Sequence, residues 1–198
     1  MASASLVTTI VVSILLLLSV GLWILRNKIE DWLLFPAGRS PFGQLPNHVL
    51  RKHPADYWNR RVRPHVVTAP GPSPNGDGGI RFWYASSPVE DAPVVVYFHG
   101  NSGTAADRLP MVSELRRAHK RLRDAAVVLA EYPGYASDPA GLSPSEARIL
   151  PNALALVDHV NTMLPGRRLC LIGRSLGSCV ATYVAAERPE LYLRVARV

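Results

Sequence analysis

The sequence predicts an α/β fold, a mostly parallel sheet with flanking helices, preceded by one transmembrane helix. Three observations predict it. An uncharged apolar run occupies residues 6–25. Further apolar runs rich in β-branched residues recur at 94–98, 125–130 and 169–172. Such runs fit strands covered on both faces, as in a parallel sheet. Segments with helical spacing alternate with them, the pattern of βαβ units with right-handed crossovers.

The first element follows from length. At ~1.5 Å rise per residue, residues 6–25 span the ~30 Å hydrocarbon core of a bilayer. Residues 1–5 carry no charged side chain and no small-residue cleavage pattern follows the run. A retained anchor over residues 1–25 is therefore expected, rather than a signal peptide. The bilayer is the first expected partner, and the chain is expected to be a single-pass membrane protein. Net charge is +7, and every Lys and Arg lies after the run. That positive flank favours a cytosolic C-terminal side. Arg26, Lys28, Arg39, Arg51 and Lys52 offer attraction to anionic lipid heads, diluted by Glu30 and Asp31. No aromatic-plus-basic platform is present, so no nucleic acid is expected.

Residues 26–64 read as linker and lead-in. Pro36, Pro41, Pro46, Pro54 and Pro64 argue against long helices there. Trp32, Phe35, Phe42, Tyr57 and Trp58 suit either a membrane interface or the underside of a globular domain.

Residues 65–198 read as a partial α/β domain. Strands are expected at 65–68 and 80–85, separated by the turn-rich PGPSPNGDGG, as an antiparallel lead-in pair. After the strand at 94–98, residues 104–120 have helical character. Ser143-Pro144-Ser145-Glu146 has the form of a capping box with proline at the first helical position. Pro151 is expected to kink that helix or delay its start. Leu176, Cys179, Val180, Tyr183 and Val184 share one face of a further helix. Cys170 and Cys179 read as small buried hydrophobes, with neither disulfide nor zinc-ligand spacing. Residues 191–198 are expected to form a last short strand.

The chemistry gathers at two points. Gly173-Arg174-Ser175-Leu176-Gly177 is a G-x-S-x-G elbow, placed after a buried strand and at the start of an amphipathic helix. That turn is tight and strained, and the flanking glycines relieve clashes with neighbouring backbone. It also sets Ser175 at a helix N-terminus, where developing negative charge is favoured. The second point is His99-Gly100-Asn101, at the end of the strand 94–98. An oxyanion hole needs two backbone N–H groups; the candidates are Leu176 and Asn101, with His99 and Gly100 shaping the loop. Neither G-x-G-x-x-G nor Gly-Lys-Ser/Thr occurs there. No cofactor and no metal are expected.

Together these elements resemble the membrane-anchored branch of the α/β-hydrolase superfamily. That branch includes acyl-protein depalmitoylases and lysophospholipid lipases, and is filed beside serine peptidases of the prolyl-oligopeptidase clan. The matching residues are His99 to Asn101, Glu131-Tyr132-Pro133-Gly134-Tyr135, Pro144-Ser145-Glu146 and the elbow. Gly134 fits the family turn, whereas Ala136 stands where a later glycine is usual. The resemblance implies an α/β-hydrolase-like fold in which Ser175 attacks an ester, thioester or amide. The substrate would be a lipid, an acyl-protein or a peptide. It also implies a histidine base and a carboxylate that follow the serine in chain order.

Only 23 residues follow Ser175 in the 198, and none is histidine. Glu187, the nearer acid, would lie roughly 18 Å along the helix. The expectation is a hydrolase domain truncated after the nucleophile helix and inactive as written. The alternative is a non-catalytic, membrane-tethered remnant or binding module. Both leave an open sheet edge that invites a partner chain.

Overall fold

A computed structural model describes residues 4–34, 64–69, 79–136 and 141–192. They fall in two units, residues 1–36 and 37–198. The first unit is helix α1, Ala4–Leu34. Its stretch Thr9–Arg26 has a mean hydropathy of 2.3 with none of it buried. By length and composition it is long and apolar enough to cross a membrane. Ser19 returns its hydroxyl to the Leu15 carbonyl at 2.8 Å, which keeps a polar group satisfied inside the helix. The helix runs on past the apolar segment, through residues 26–34 that were expected to be linker. The reason is in the sequence: the first proline after the apolar run is Pro36, so nothing earlier interrupts the i→i−4 ladder.

The second unit holds a five-stranded sheet. Its strands are β1 (Pro64–Ala69), β2 (Ile80–Ala85), β3 (Val94–Phe98), β4 (Ala126–Glu131) and β5 (Leu169–Gly173). The spatial order is β1-β2-β4-β3-β5. The β4–β3 and β3–β5 pairs are parallel; β1–β2 and β2–β4 are antiparallel. The sheet is therefore mixed, not mostly parallel. The lead-in pair does not stand apart: β2 joins the parallel set along β4, and every β2 residue but one is buried.

The strands β3 and β4 are fully buried on both faces, and each buried valine there contributes on the order of 2 kcal/mol. Helix α2 (Leu109–Ala118), entered by a 3-10 turn at Ala106–Arg108 and followed by another at Lys120–Leu122, covers one face. There Leu109 and Val112 pack with Val95, Tyr97, Val127 and Leu129. Helices α3 (Glu146–Met163) and α4 (Leu176–Glu187) lie on the other. On that side Phe82 meets the His159 ring edge-on, 5.9 Å between centroids.

Four local expectations need correction. The α3 cap is Ser145 in extended conformation, with no side-chain cap bond. Pro144 thus precedes the cap instead of opening the helix, and Arg148 reaches back to the Ser143 carbonyl at 2.9 Å. Pro151 lies inside α3, so of the two outcomes expected of it the delayed start is not seen. Cys179 is exposed and Cys170 half-buried; the described residues do not cover the outer side of α4 and β5. Residues 191 and 192 close a four-residue helix, α5 (Pro189–Tyr192), instead of opening a strand. The rest of that expected strand lies outside the described residues, as does the expected turn at 70–79 apart from Gly79.

Candidate active site

Strands β3 and β5 are parallel neighbours that end level, with Phe98 opposite Gly173. That register brings the two chemical motifs together. One more ladder bond follows, from the Arg174 N–H to the Phe98 carbonyl at 3.1 Å. Then the chain reverses at Ser175, φ 52° and ψ −121°. A non-glycine residue held there costs about 1–3 kcal/mol. It persists because the sheet on one side and α4 on the other fix it. Helix α4 begins at once: Gly177 N–H donates to the Arg174 carbonyl at 2.9 Å and Ser178 N–H to the Ser175 carbonyl at 2.8 Å. The Ser175 side chain is exposed and does not cap its own helix. Its hydroxyl is left for other partners at the positive end of the helix dipole.

The flanking glycines have a steric cause. A Cβ on Gly173 would run into the Gly177 carbonyl oxygen and lie 2.6 Å from Ser178 Cα. One on Gly177 would run into the Phe98 carbonyl oxygen and lie 2.6 Å from the His99 oxygen. Helix α4 can seat on the end of β3 only without these methyl groups. Gly100 shows where the loop after β3 stands: a Cβ there would be 3.5 Å from Ser175 Cβ and 3.4 Å from the Arg174 carbonyl oxygen. Leu176 is the first residue of α4, so its N–H has no intrahelical acceptor.

The loop itself is held from below. His99 is fully buried. Its Nδ1 lies 2.7 Å from the Gly100 carbonyl oxygen, and its Nε2 lies 3.4 Å from Glu131 Oε1. The Tyr132 hydroxyl donates to the His99 carbonyl at 2.7 Å. The Tyr135 hydroxyl donates to the Asn101 carbonyl at 3.1 Å. Glu131 Oε2 accepts the Ala105 N–H at 3.0 Å, at the far end of the loop. The His99 ring sits 4.2 Å from that of Tyr132 and 5.4 Å from that of Tyr135. Desolvation, aided by Tyr135 and Glu131, pushes the Tyr132 phenol well above its ordinary range. Burial and then Glu131 do the same for Tyr135. Both stay neutral donors.

Ser175, Leu176, Gly173, Gly177, His99, Gly100 and Asn101 thus converge at one end of the sheet. A base does not join them among the described residues. His99 is turned into the core, His119 accepts from the Arg121 N–H at 3.2 Å, and His159 lies on Phe82. No described trio of His, Cys, Asp or Glu is placed to hold a metal ion. Glu131, Tyr132 and Tyr135 as supports of the loop were missed by site reasoning from the motifs. What places them is the register Tyr97 opposite Leu129, which no motif carries. Continued two residues, it sets Glu131 beside His99.

No family model matches the chain. It is 30% identical over 117 residues to the alpha/beta hydrolase domain-containing protein WAV2 of Arabidopsis thaliana, a match covering 57% of this chain and 36% of that protein. The chain thus spans little more than a third of the curated relative it matches. A bacterial heroin esterase superposes with a TM-score of 0.50 at 21% identity, covering 78% of this chain and 50% of that one. An esterase of Pyrobaculum calidifontis does so with a TM-score of 0.50 at 22% identity, covering 65% and 40%. The chain has the α/β-hydrolase fold, with a mixed sheet and flanking helices.

Proposed function

We propose that these residues form the nucleophile and oxyanion half of a membrane-anchored serine hydrolase. The observation that carries it is Ser175 at φ 52° on the strand-to-helix turn, with Gly173 and Gly177 sterically required on either side. The Ser175 oxygen attacks the carbonyl carbon of an ester, thioester or amide and gives its proton to a base. The Leu176 and Asn101 N–H groups receive the oxyanion, on a loop shaped by His99 and Gly100. Collapse expels the alcohol, thiol or amine and leaves an acyl-serine for water to hydrolyse. The esterases and the WAV2 relative support this class.

Helix α1 would anchor the chain in a bilayer, with the positive flank placing the hydrolase part on the cytosolic side. The substrate is then a lipid, an acyl-protein or a peptide near the membrane. The outer edge of β5, half-buried along most of its length, would be covered by a partner chain. The described residues bring no histidine to Ser175, and slow turnover is part of this proposal. Serine hydrolases stripped of triad members keep roughly 10³–10⁴-fold catalysis over water from the oxyanion hole and binding.

The test is fluorophosphonate labelling of the full chain in detergent, beside Ser175→Ala. Slow labelling that Ser175→Ala abolishes, with little turnover of p-nitrophenyl esters, is expected. Fast turnover dependent on Ser175 would show a base already in place. No labelling at all would leave a tethered binding module.

A further inference from the structure

Three consecutive carbonyls of the loop, those of His99, Gly100 and Asn101, are each set against a ring group: the Tyr132 hydroxyl, His99 Nδ1 and the Tyr135 hydroxyl. The middle one matters most. The Gly100 carbonyl and the Asn101 N–H belong to one peptide unit, and no peptide bond here is cis. In a trans peptide the two point in opposite directions. Pinning the Gly100 oxygen toward the buried imidazole therefore aims the Asn101 N–H away from the core. Gly100 itself stands against Ser175.

Proton inventory then brings in Glu131. A carbonyl oxygen only accepts, so His99 Nδ1 must carry hydrogen. Nε2 of a neutral ring is then a lone pair, facing Glu131 Oε1 at 3.4 Å with both side chains fully buried. Two acceptors facing each other without water are unfavourable. One proton between them removes the conflict. Glu131 Oε2 is occupied by the Ala105 N–H, so the carboxyl joins the two ends of the loop. Arg81, opposite Glu131 on β2 and also buried, sends Nη2 to the Tyr135 carbonyl at 3.4 Å.

We propose that Glu131 is the positioning residue of the oxyanion loop: its carboxyl shares one proton with His99 Nε2, locks His99 Nδ1–H on the Gly100 carbonyl and so aims the Asn101 N–H at the acyl group on Ser175. This rests on Ser175 and Asn101 having the roles proposed above, and it concerns a residue that touches no substrate.

Glutamine at 131 makes the same two contacts. Its amide oxygen accepts from Ala105, and its NH₂ donates to Nε2. Leucine makes neither. The test uses the full chain in detergent with Ser175→Cys, since a thiol ionises without a base. Acylation by p-nitrophenyl acetate builds an oxyanion: the sulfur attacks the acetyl carbon, and p-nitrophenolate leaves with its electron pair. Alkylation by iodoacetamide displaces iodide at a saturated carbon and builds none. The ratio of the two rates, corrected with Ser175→Ala for other nucleophiles, isolates the oxyanion hole from general exposure of the thiol.

Glu131→Leu is expected to lower that ratio by about 10²-fold, the scale of one lost oxyanion donor. Glu131→Gln is expected to stay within about threefold of the parent, as its two replacement bonds allow. An unchanged ratio in a folded Glu131→Leu chain, or a Gln chain as impaired as the Leu chain, overturns the proposal. The ¹⁵N shifts of the His99 ring decide it independently of reactivity. Hydrogen at Nδ1 in both the parent and Glu131→Gln is expected, and a bare Nδ1 overturns it. If Ser175 proves unreactive altogether, the hydrolase reading fails, while the ring shifts still test the lock.

Discussion

The two sides of the candidate site are finished to different degrees. On the β3–β4 side, His99 and Glu131 are fully buried and three successive loop carbonyls have ring partners. On the β5–α4 side the backbone is as tightly set, with Gly173 and Gly177 each meeting a neighbouring carbonyl. Its side chains are not: Ser175 and Cys179 are exposed, and Cys170, Leu171 and Ile172 are half-buried. The contrast teaches that the loop after β3 is preorganised by the two strands beneath it, as the proposed oxyanion role requires. The turn at Ser175 needs only backbone for its shape, whereas the described residues leave its side-chain surroundings open.

The most severe way to break the elbow side is Gly177→Ala. Its methyl would overlap main chain at Phe98 and His99, which cannot rotate away as a side chain can. A loss of about 4 kcal/mol is expected, in the range kept for severe core overpacking. Urea melts of the full chain measure it, and a loss below about 1 kcal/mol would mean that α4 is not seated on β3.

Cysteine reactivity sharpens the contrast next. Cys179 is exposed, whereas burial raises the Cys170 thiol above its ordinary range. With a disulfide reagent, Cys179 is expected to react at least about tenfold faster than Cys170. Protection of Cys179 would show that something covers α4 after all.

On the other side, Tyr132→Phe removes a donor from the buried His99 carbonyl. About 1–2 kcal/mol of stability should go with it. The alkaline limb carries the same signature. Burial raises both phenols in the folded state, while unfolded tyrosine ionises near pH ~10. Their contribution is complete below that value and is lost as pH rises beyond it, because only the unfolded chain then releases the proton. Tyr132→Phe should flatten this decline in a series of melts across alkaline pH.

The smallest expected effect is at Ala136, where φ is 52° for a residue with a Cβ. The resemblance had marked this as the position where glycine is usual. Ala136→Gly should stabilise by about 0.5 kcal/mol, relief of the left-handed strain exceeding the entropy that glycine loses.

How far the sequence was legible follows physical range. Val94–Phe98 was readable residue for residue, since a continuous β-branched run has few other uses. The tight turn over Gly173, Ser175 and Gly177 was readable because local backbone strain selects residue types directly. Glu131 was not: its place beside His99 depends on which strand lies beside β3, and a pairing register leaves no mark in a single motif. The cap at Ser143 was misread by two residues, because Ser145 is a second serine at the same boundary and lies nearer the apolar stripe of α3. Cys179 was misread because an apolar helix face looks the same whether or not its cover is present.

The central claim, that the fold singles out Ser175 as a nucleophile, has a built-in control three residues away. Ser178 is also exposed, but its hydroxyl is tied to the Gly173 carbonyl at 3.0 Å. Peptide mapping of the full chain after prolonged fluorophosphonate treatment should find the adduct on Ser175 and none on Ser178. An adduct shared between the two serines, or absent from Ser175, would contradict the claim.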